Sequence, residues 1–238
     1  MGRMLIDSHT RPDITTRVIE KAKAFGASLA GIASISSIQS SPSYGTCGKV
    51  EWPLEAKSLL VLALAHETSG PELDWWDNKK GGSPGNRRLG NTAKCMIQWL
   101  NEKFHINARL LPYHVERGGV FLKDAAALAG LGTIGKNNLL ITPELGPRVR
   151  FRALLLDAGL EPTGPIDFAP CEACDMACRR ICPQKAFETG SYSRPSCNEQ
   201  MKEDEINKVI FEKWENNDSP TLCIKYCRAC ELACPVAR

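Results

Sequence analysis

The sequence predicts an α+β protein in two parts, residues 1–165 and 166–238, on three observations. Nine of its 11 cysteines crowd between Cys171 and Cys234. Upstream of them, helical and strand-like hydrophobic periods alternate. The stretch Glu161-Pro-Thr-Gly-Pro165 punctuates the join, and the charge balance changes there: 20 basic and 15 acidic side chains precede residue 166, and 10 basic and 12 acidic follow. A chain of 238 residues that is 43% hydrophobic can bury one sizeable core and a small appendage.

Taken in order, Pro12-Asp13 offers a helix start, and Ile14, Val18, Ile19, Ala22 and Phe25 share one face before Gly26 ends the pattern. Strands are predicted at Leu29 to Ile35 and Ser58 to Ala65. The run from Leu59 to Ala65 is the longest apolar stretch in the chain, far too short to span a bilayer. Thr68 to Asn91 carries Trp75-Trp76, Lys79-Lys80-Gly81-Gly82 and Arg87-Arg88, and reads as a long loop, either functional or simply solvated. Leu89, Ala93, Met96, Ile97, Leu100 and Phe104 then define an amphipathic helix. Ala108 to Tyr113 suits a strand, and alanine-rich Val120 to Leu131 a helix.

Leu139 to Thr142 and Val149 to Leu156 read as two strands joined across Pro143-Glu-Leu-Gly-Pro147. In the second, Arg148, Arg150 and Arg152 alternate with Val149, Phe151 and Ala153, which puts three guanidinium groups on one face. That face is either solvated or turned toward phosphates or carboxylates. The segment Gly130-Leu-Gly132-Thr-Ile-Gly135 has the spacing of a dinucleotide fingerprint. The fingerprint needs a strand before it and a helix after it, whereas here the order is helix, then strand. It reads instead as a glycine turn that lets backbone approach something closely, followed by polar Lys136-Asn137-Asn138.

The cysteines carry the chemistry. Two runs, Cys171-Glu-Ala-Cys174-Asp-Met-Ala-Cys178-Arg-Arg-Ile-Cys182-Pro183 and Cys223-Ile-Lys-Tyr-Cys227-Arg-Ala-Cys230-Glu-Leu-Ala-Cys234-Pro235, each finish in Cys-Pro. Such loops wrap a [4Fe–4S] cube with three thiolates and send the cysteine before proline to a partner cube. A disulfide framework fits poorly: the count is odd and Met-Gly-Arg-Met-Leu-Ile-Asp is no apolar signal segment. Tetrahedral zinc has no use for a three-plus-one arrangement repeated twice. The runs depart from the usual ferredoxin spacing by one inserted residue each. The expected first set is Cys171, Cys174, Cys178 and Cys234. The second is Cys182, Cys227 and Cys230, completed by either Cys197 or Cys223. Cys47 and Cys95 read as free buried cysteines. Thiolate-bound clusters imply a reducing cytoplasm, and with no span expected the chain reads as soluble, with no membrane partner. Two oxidised cubes at about −2 each would take the formal charge of +3 to about −1, so global charge does not advertise nucleic-acid binding.

The stretch Ala129-Gly-Leu-Gly-Thr-Ile-Gly-Lys-Asn-Asn-Leu-Leu-Ile-Thr-Pro-Glu-Leu-Gly146, followed about 25 residues later by the first cysteine run, resembles the epoxyqueuosine reductase family. These are cobalamin-dependent iron–sulfur enzymes related to reductive dehalogenases. The resemblance is strongest from about Leu111 onward. It implies a nitroreductase-like α/β domain over residues 1–165 that holds a corrinoid and substrate, followed by a ferredoxin-like domain over 166–238 with two [4Fe–4S] clusters. It further implies that Gly132, Gly135, Lys136, Asn137 and Asn138 lie near the corrinoid. The family's proton-donating acid sits 16 positions before the equivalent of Gly132, which is Glu116 here, a glutamate where the family has aspartate. Tyr113 and His114 are further candidate donors. Electrons would come from reduced ferredoxin or flavodoxin, pass through the clusters to the corrinoid, and reduce a small electrophile or a tRNA-borne substrate. The Thr68–Asn91 stretch departs from the family's substrate-side segment, and the chain ends four residues after Cys234. Two other readings stand beside this one. One is an electron-transfer protein without its own catalysis, and the other is a reductase that uses FMN, which a nitroreductase-like fold also accommodates.

Overall fold

The computed structural model describes residues 13–47, 52–53, 55–66, 70–211 and 220–237. Helix α1 (Ile14–Ala24), strand β1 (Leu29–Ser34), short helices α2 (Ile35–Gln39) and α3 (Pro42–Cys47) and strand β2 (Ser58–Ala65) come first. A 3-10 turn (Pro71–Asp74), helix α4 (Pro84–Phe104), strand β3 (Ala108–Leu110), a second 3-10 turn (Val115–Arg117) and helix α5 (Leu122–Leu128) follow. A small hairpin, β4 (Thr133–Ile134) and β5 (Leu140–Ile141), leads to β6 (Val149–Leu156). Strands β1, β2, β6 and β3 form, in that order, one antiparallel sheet.

The sheet lies between two helical layers because its central strand is apolar on both faces. Leu59, Val61 and Ala63 of β2 pack with Ile38, Ala125, Ala126 and Ala129 on one side. Leu60, Leu62 and Leu64 pack with Val18, Ala22, Leu89, Ala93, Met96 and Leu100 on the other. Each fully buried leucine contributes about 1.5 to 3 kcal/mol relative to exposure. The helices are capped as their sequences suggest. Asp13 accepts the Thr16 amide at 2.8 Å to start α1, and Ser83, followed by Pro84, accepts the Asn86 amide at 3.3 Å to start α4.

Two expectations change, the extent of the loop and that of β3. The long loop ends at Ser83, since Arg87, Arg88 and Asn91 already lie in α4, and much of what remains is not solvated: Asp74, Asp77 and Ser83 are buried. The strands flanking Pro143–Pro147 do not pair with each other; β5 folds back on β4, while β6 inserts between β2 and β3. Strand β3 stops at Leu110, two residues before Pro112.

The cysteine-rich part is built differently. Helix α6 (Ala177–Arg180) and helix α8 (Ala229–Leu232) lie at equivalent places in the two runs and pack against each other. Between them come α7 (Arg194–Ile206), started by Ser193, and the hairpin of β7 (Val209–Phe211) and β8 (Thr221–Cys223). No residue of α7 is buried. No helix among the described residues is long and apolar enough to cross a membrane.

The stretch around Thr163 is pinned to the sheet. The Thr163 hydroxyl accepts the Ile32 amide at 2.8 Å and donates to Ala129 O at 2.7 Å. Chain segments meet so tightly here that a Cβ on Gly130 would stand 2.4 Å from Thr163 O. This clamp fixes the end of α5 and hence the direction in which the β4–β5 hairpin leaves it.

Candidate functional site

The fold sorts eight cysteines into two groups of four. Burial pushes the Cys178 thiol up, and the nearby sulfurs of Cys234, Cys171 and Cys174 push it further. Burial likewise raises Cys230 to about 12, with Cys227, Cys197, Glu231 and Cys182 adding to the effect. Cys227 is raised by burial, and Cys182 and Cys197 are among its neighbours. Cys171, Cys174, Cys178 and Cys234 thus lie within electrostatic reach of one another, as do Cys182, Cys197, Cys227 and Cys230. Cys223 stands apart: it is fully buried, and its thiol donates to Thr221 O at 3.6 Å beside Asp77, Arg87, Lys225 and Lys79. Of the two residues left open by the sequence, the chain brings Cys197, in the first turn of α7, to the second group. Cys95 is exposed on α4, and the side chain of Cys47 lies outside the described residues.

Thiols that raise each other's pKa are neutral when empty and become thiolates when a cation arrives, releasing protons. Among the described residues no three His, Cys, Asp or Glu side chains stand at the spacing of a single metal ion. A cube spreads four thiolates over four irons, and an all-sulfur set of four suits it. Backbone amides point at several of the sulfurs: Lys136 N to Cys171 at 3.5 Å, Met176 N to Cys174 at 3.4 Å and Ala186 N to Cys182 at 3.3 Å.

The first of these amides comes from the glycine hairpin. Lys136 reaches one cysteine group, and buried Asn137 donates its side-chain amide to Cys230 O in the other at 3.5 Å. Asn138, in a left-handed conformation at φ 59°, turns its carbonyl to accept from Lys123 Nζ at 2.7 Å. The glycines serve packing within the chain: a Cβ on Gly132 would lie 2.1 Å from Ile141 O, and one on Gly135 2.3 Å from Ile141 Cδ1.

The arginine stripe of β6 is neither solvated nor free. Arg148 donates to Val236 O at 2.9 Å and also to Ala237 O, holding the last described residues. Arg150 pairs with Asp74 at 2.6 Å, and the Arg152 guanidinium lies 4.7 Å above the Tyr113 ring. Asp74 is a hub that sequence reasoning missed. His66 Nδ1 lies 2.6 Å and Arg228 Nη1 2.8 Å from its second oxygen, and Arg228 also pairs with Glu231. Burial pushes the Asp74 carboxyl up, but His66 and Arg150 outweigh this and hold it below its ordinary value. Arg228 and Glu231 flank Cys230, so this ion cluster docks the cysteine-rich part onto the sheet. Trp76 adds a backbone bridge to Ile224. Around this dock, His66 Nε2, Asn86 Oδ1 and Arg152 Nη1 are buried without a hydrogen-bond partner.

Glu116 lies in the second 3-10 turn. Its side chain is 77% exposed, 3.8 Å from His114 Nδ1. Tyr113 sits edge-on to both Trp76 and His114. A cavity of about 390 Å³ lies beside Cys182 and Phe187, and another of about 520 Å³, lined by Trp52, Arg109, Pro112 and Arg117, borders the turn that carries Glu116.

No family model matches the chain. The tetrachloroethene reductive dehalogenase of Sulfurospirillum multivorans is 34% identical over 122 residues, covering 48% of this chain and 23% of that protein. The epoxyqueuosine reductase of Lactococcus garvieae is 29% identical over 122 residues, covering 51% and 33%. The structure of an epoxyqueuosine reductase with an epoxyqueuosine-modified tRNA-Tyr stem loop superposes with a TM-score of 0.62 at 19% identity, over 93% of this chain and 64% of that one. The chain therefore spans a quarter to a third of the length of these curated relatives and less than two thirds of that structure. In sequence it is similar to the reductive dehalogenases and the epoxyqueuosine reductases, and its mixed α+β fold is that of the epoxyqueuosine reductases.

Proposed function

We propose that this chain is an iron–sulfur oxidoreductase of the epoxyqueuosine reductase type, working with a corrinoid on an electrophilic carbon of a small molecule or a tRNA-borne nucleoside. The observation that carries the reading is the sorting of eight cysteines into two groups. In this reading Cys171, Cys174, Cys178 and Cys234 hold one [4Fe–4S] cluster, and Cys182, Cys197, Cys227 and Cys230 hold the other. The ferredoxin-like unit is residues 166–238, and the corrinoid and substrate unit is 1–165. The buried hydrophobic clusters support that division, because they run from Val18 to Leu160 and no further.

Bound at these cysteines, the clusters would supply single electrons, and a corrinoid would supply a redox-active cobalt centre for reduction at carbon. What supports a corrinoid is that His66 Nε2, Asn86 Oδ1 and Arg152 Nη1 are buried without partners, which the amide-bearing rim of a corrinoid could satisfy. The glycine hairpin offers no open cradle, since the chain's own atoms fill the space beside Gly132 and Gly135. In this reading Lys136, Asn137 and Asn138 brace the sheet against both clusters. The Asp74 hub fixes the distance between the two units. In this reading Glu116 is the proton donor to substrate bound over the Tyr113–Gly119 loop. An external one-electron donor of the ferredoxin or flavodoxin class, in a reducing cytoplasm, completes the scheme.

Anaerobic reconstitution followed by iron and sulfide analysis and a cobalamin titration tests the proposal. About eight irons per chain and saturable cobalamin binding are expected. Fewer irons overturn the cluster assignment. Full iron with no cobalamin bound leaves an electron carrier, or a flavoenzyme if FMN is released on denaturation. Glu116→Gln should lower turnover by about 100-fold or more with full iron content, and unchanged turnover would remove Glu116 from the chemistry.

A further inference from the structure

The two cavities differ in how their charges are answered. In the cavity of about 390 Å³ beside Cys182, the chain satisfies its own cations: Arg180 pairs with Asp175 at 2.7 Å, Lys185 with Glu188 at 3.7 Å, and Arg179 donates to Phe187 O at 3.2 Å and also to Gly190 O. The cavity of about 520 Å³ beside the Glu116 turn is lined by Arg109 and Arg117 and by no acidic side chain. Among the described residues neither guanidinium makes a hydrogen bond or an ion pair. Glu116, the neighbour of Arg117 in sequence, has its carboxylate beside His114 instead.

The sheet layer fixes the parts of this lining. Arg109 stands on the edge strand β3, opposite Leu155 of β6. Arg117 ends the second 3-10 turn, which closes on itself as the Arg117 and Gly119 amides both donate to His114 O at 3.1 Å. The turn is pressed against the end of the strand: a Cβ on Gly119 would lie 2.4 Å from Pro112 O. The Trp52 ring sits edge-on to buried Tyr44 with centroids 5.9 Å apart, and Tyr44 sits edge-on to Phe121 at 5.3 Å, so the indole is braced by the core. Pro53, Leu110 and Pro112 make further apolar walls.

We propose that this cavity anchors the charged end of the substrate through Arg109 and Arg117, and that the substrate is a small organic anion, a carboxylate or a phosphate monoester on an apolar body. This rests on the function proposed above and names its substrate class, since it sets the substrate beside the residue assigned as its proton donor. Two guanidinium groups without counter-charges match an oxyanion, which their planar forks grip through paired donors. The indole, proline and leucine walls suit an apolar body, and the volume is that of a small-molecule pocket. An RNA would ask for a run of phosphate contacts and open stacking faces. The lining offers two cations and one indole already engaged by Tyr44.

Isothermal titration calorimetry on the anaerobically reconstituted full chain tests this, with benzoate, phenyl phosphate and neutral benzamide as probes. Saturable binding of benzoate or phenyl phosphate is expected, the tighter of the two naming the oxyanion, with benzamide weaker by about tenfold or more. Arg109→Gln and Arg117→Gln should each weaken anion binding by about tenfold, and lysine at either position should recover part of it, with melting temperature and iron content unchanged. Both side chains are exposed, so these substitutions leave the core intact. No saturable binding of either anion, benzamide binding as tightly as the anions, or unchanged affinity in either glutamine variant overturns the inference. So does a tRNA anticodon stem loop that binds where neither small anion does. Iron loading below about eight per chain with anion binding intact overturns the cluster assignment instead, because the whole lining belongs to residues 1–165.

Discussion

The sheet and the cysteine-rich part are held together by different forces. In the sheet, β2 from Ser58 to Leu64 is buried residue after residue, and two hydrophobic clusters cover its faces. Among the described residues after 165 the buried apolar ones are Cys178, Ala186, Phe187, Cys223 and Cys234, while Ile181, Ile206 and Ile210 are more than half exposed. A part with so little apolar burial cannot offset its conformational entropy by hydrophobic contact alone. The sheet can stand on its core, whereas the cysteine-rich part relies on the dock that Asp74 supplies and, in the proposed reading, on clusters held by its thiols. The cysteine-rich part is therefore expected to be the less stable of the two and, on the proposed cluster assignment, to be stabilised by the iron it binds.

The largest test of this contrast is removal of iron. Chelating the clusters from loaded protein should raise amide hydrogen exchange throughout residues 171–235, while 58–65 and 149–156 keep their protection. Equal protection with and without iron would mean that the second part folds on its own contacts. Next in size is the dock. Asp74→Ala leaves Arg150 buried and unpaired, at a cost of about 3 to 5 kcal/mol, measured by denaturant unfolding. The pH dependence has a definite sign. The Asp74 carboxyl is held below 3.8, so its stabilisation is complete above the unfolded value and is lost as pH falls through the lower, folded one. Asp74→Asn should flatten that acid limb. Leu60→Ala should cost about 2 to 5 kcal/mol, and it should unfold the sheet without first releasing iron.

How much of this was legible depended on the range of the signal. Strands β2 and β6 and helix α4 announce themselves by local period, and the two cysteine runs by spacing. The arginine stripe was visible, but its partner was not, because Asp74 stands 76 residues from Arg150 in a segment that composition alone marks as solvated. That β5 pairs with β4 was not legible, because β4 and β5 are two residues each, too short for any period to show. Ser83-Pro84 is a readable helix start that was passed over amid glycines and charges. Choosing between Cys197 and Cys223 needed the path of α7, which spacing does not contain.

The smallest prediction compares like with like across the two parts. Ser83 and Ser193 make the same cap, each accepting an amide three residues on at 3.3 Å. Either change to alanine removes about 1 kcal/mol from its helix. Helix α4 buries Leu89, Ala93, Met96 and Leu100 in the sheet layer, so it unfolds only with the core, and Ser83→Ala should lower the melting temperature of the whole sheet. Helix α7 buries nothing, so Ser193→Ala should leave that melting temperature alone and speed exchange only in residues 196–206. If Ser193→Ala instead lowered the global transition as much as Ser83→Ala, α7 would be coupled to the core through Cys197, and the independence of the two parts would be lost.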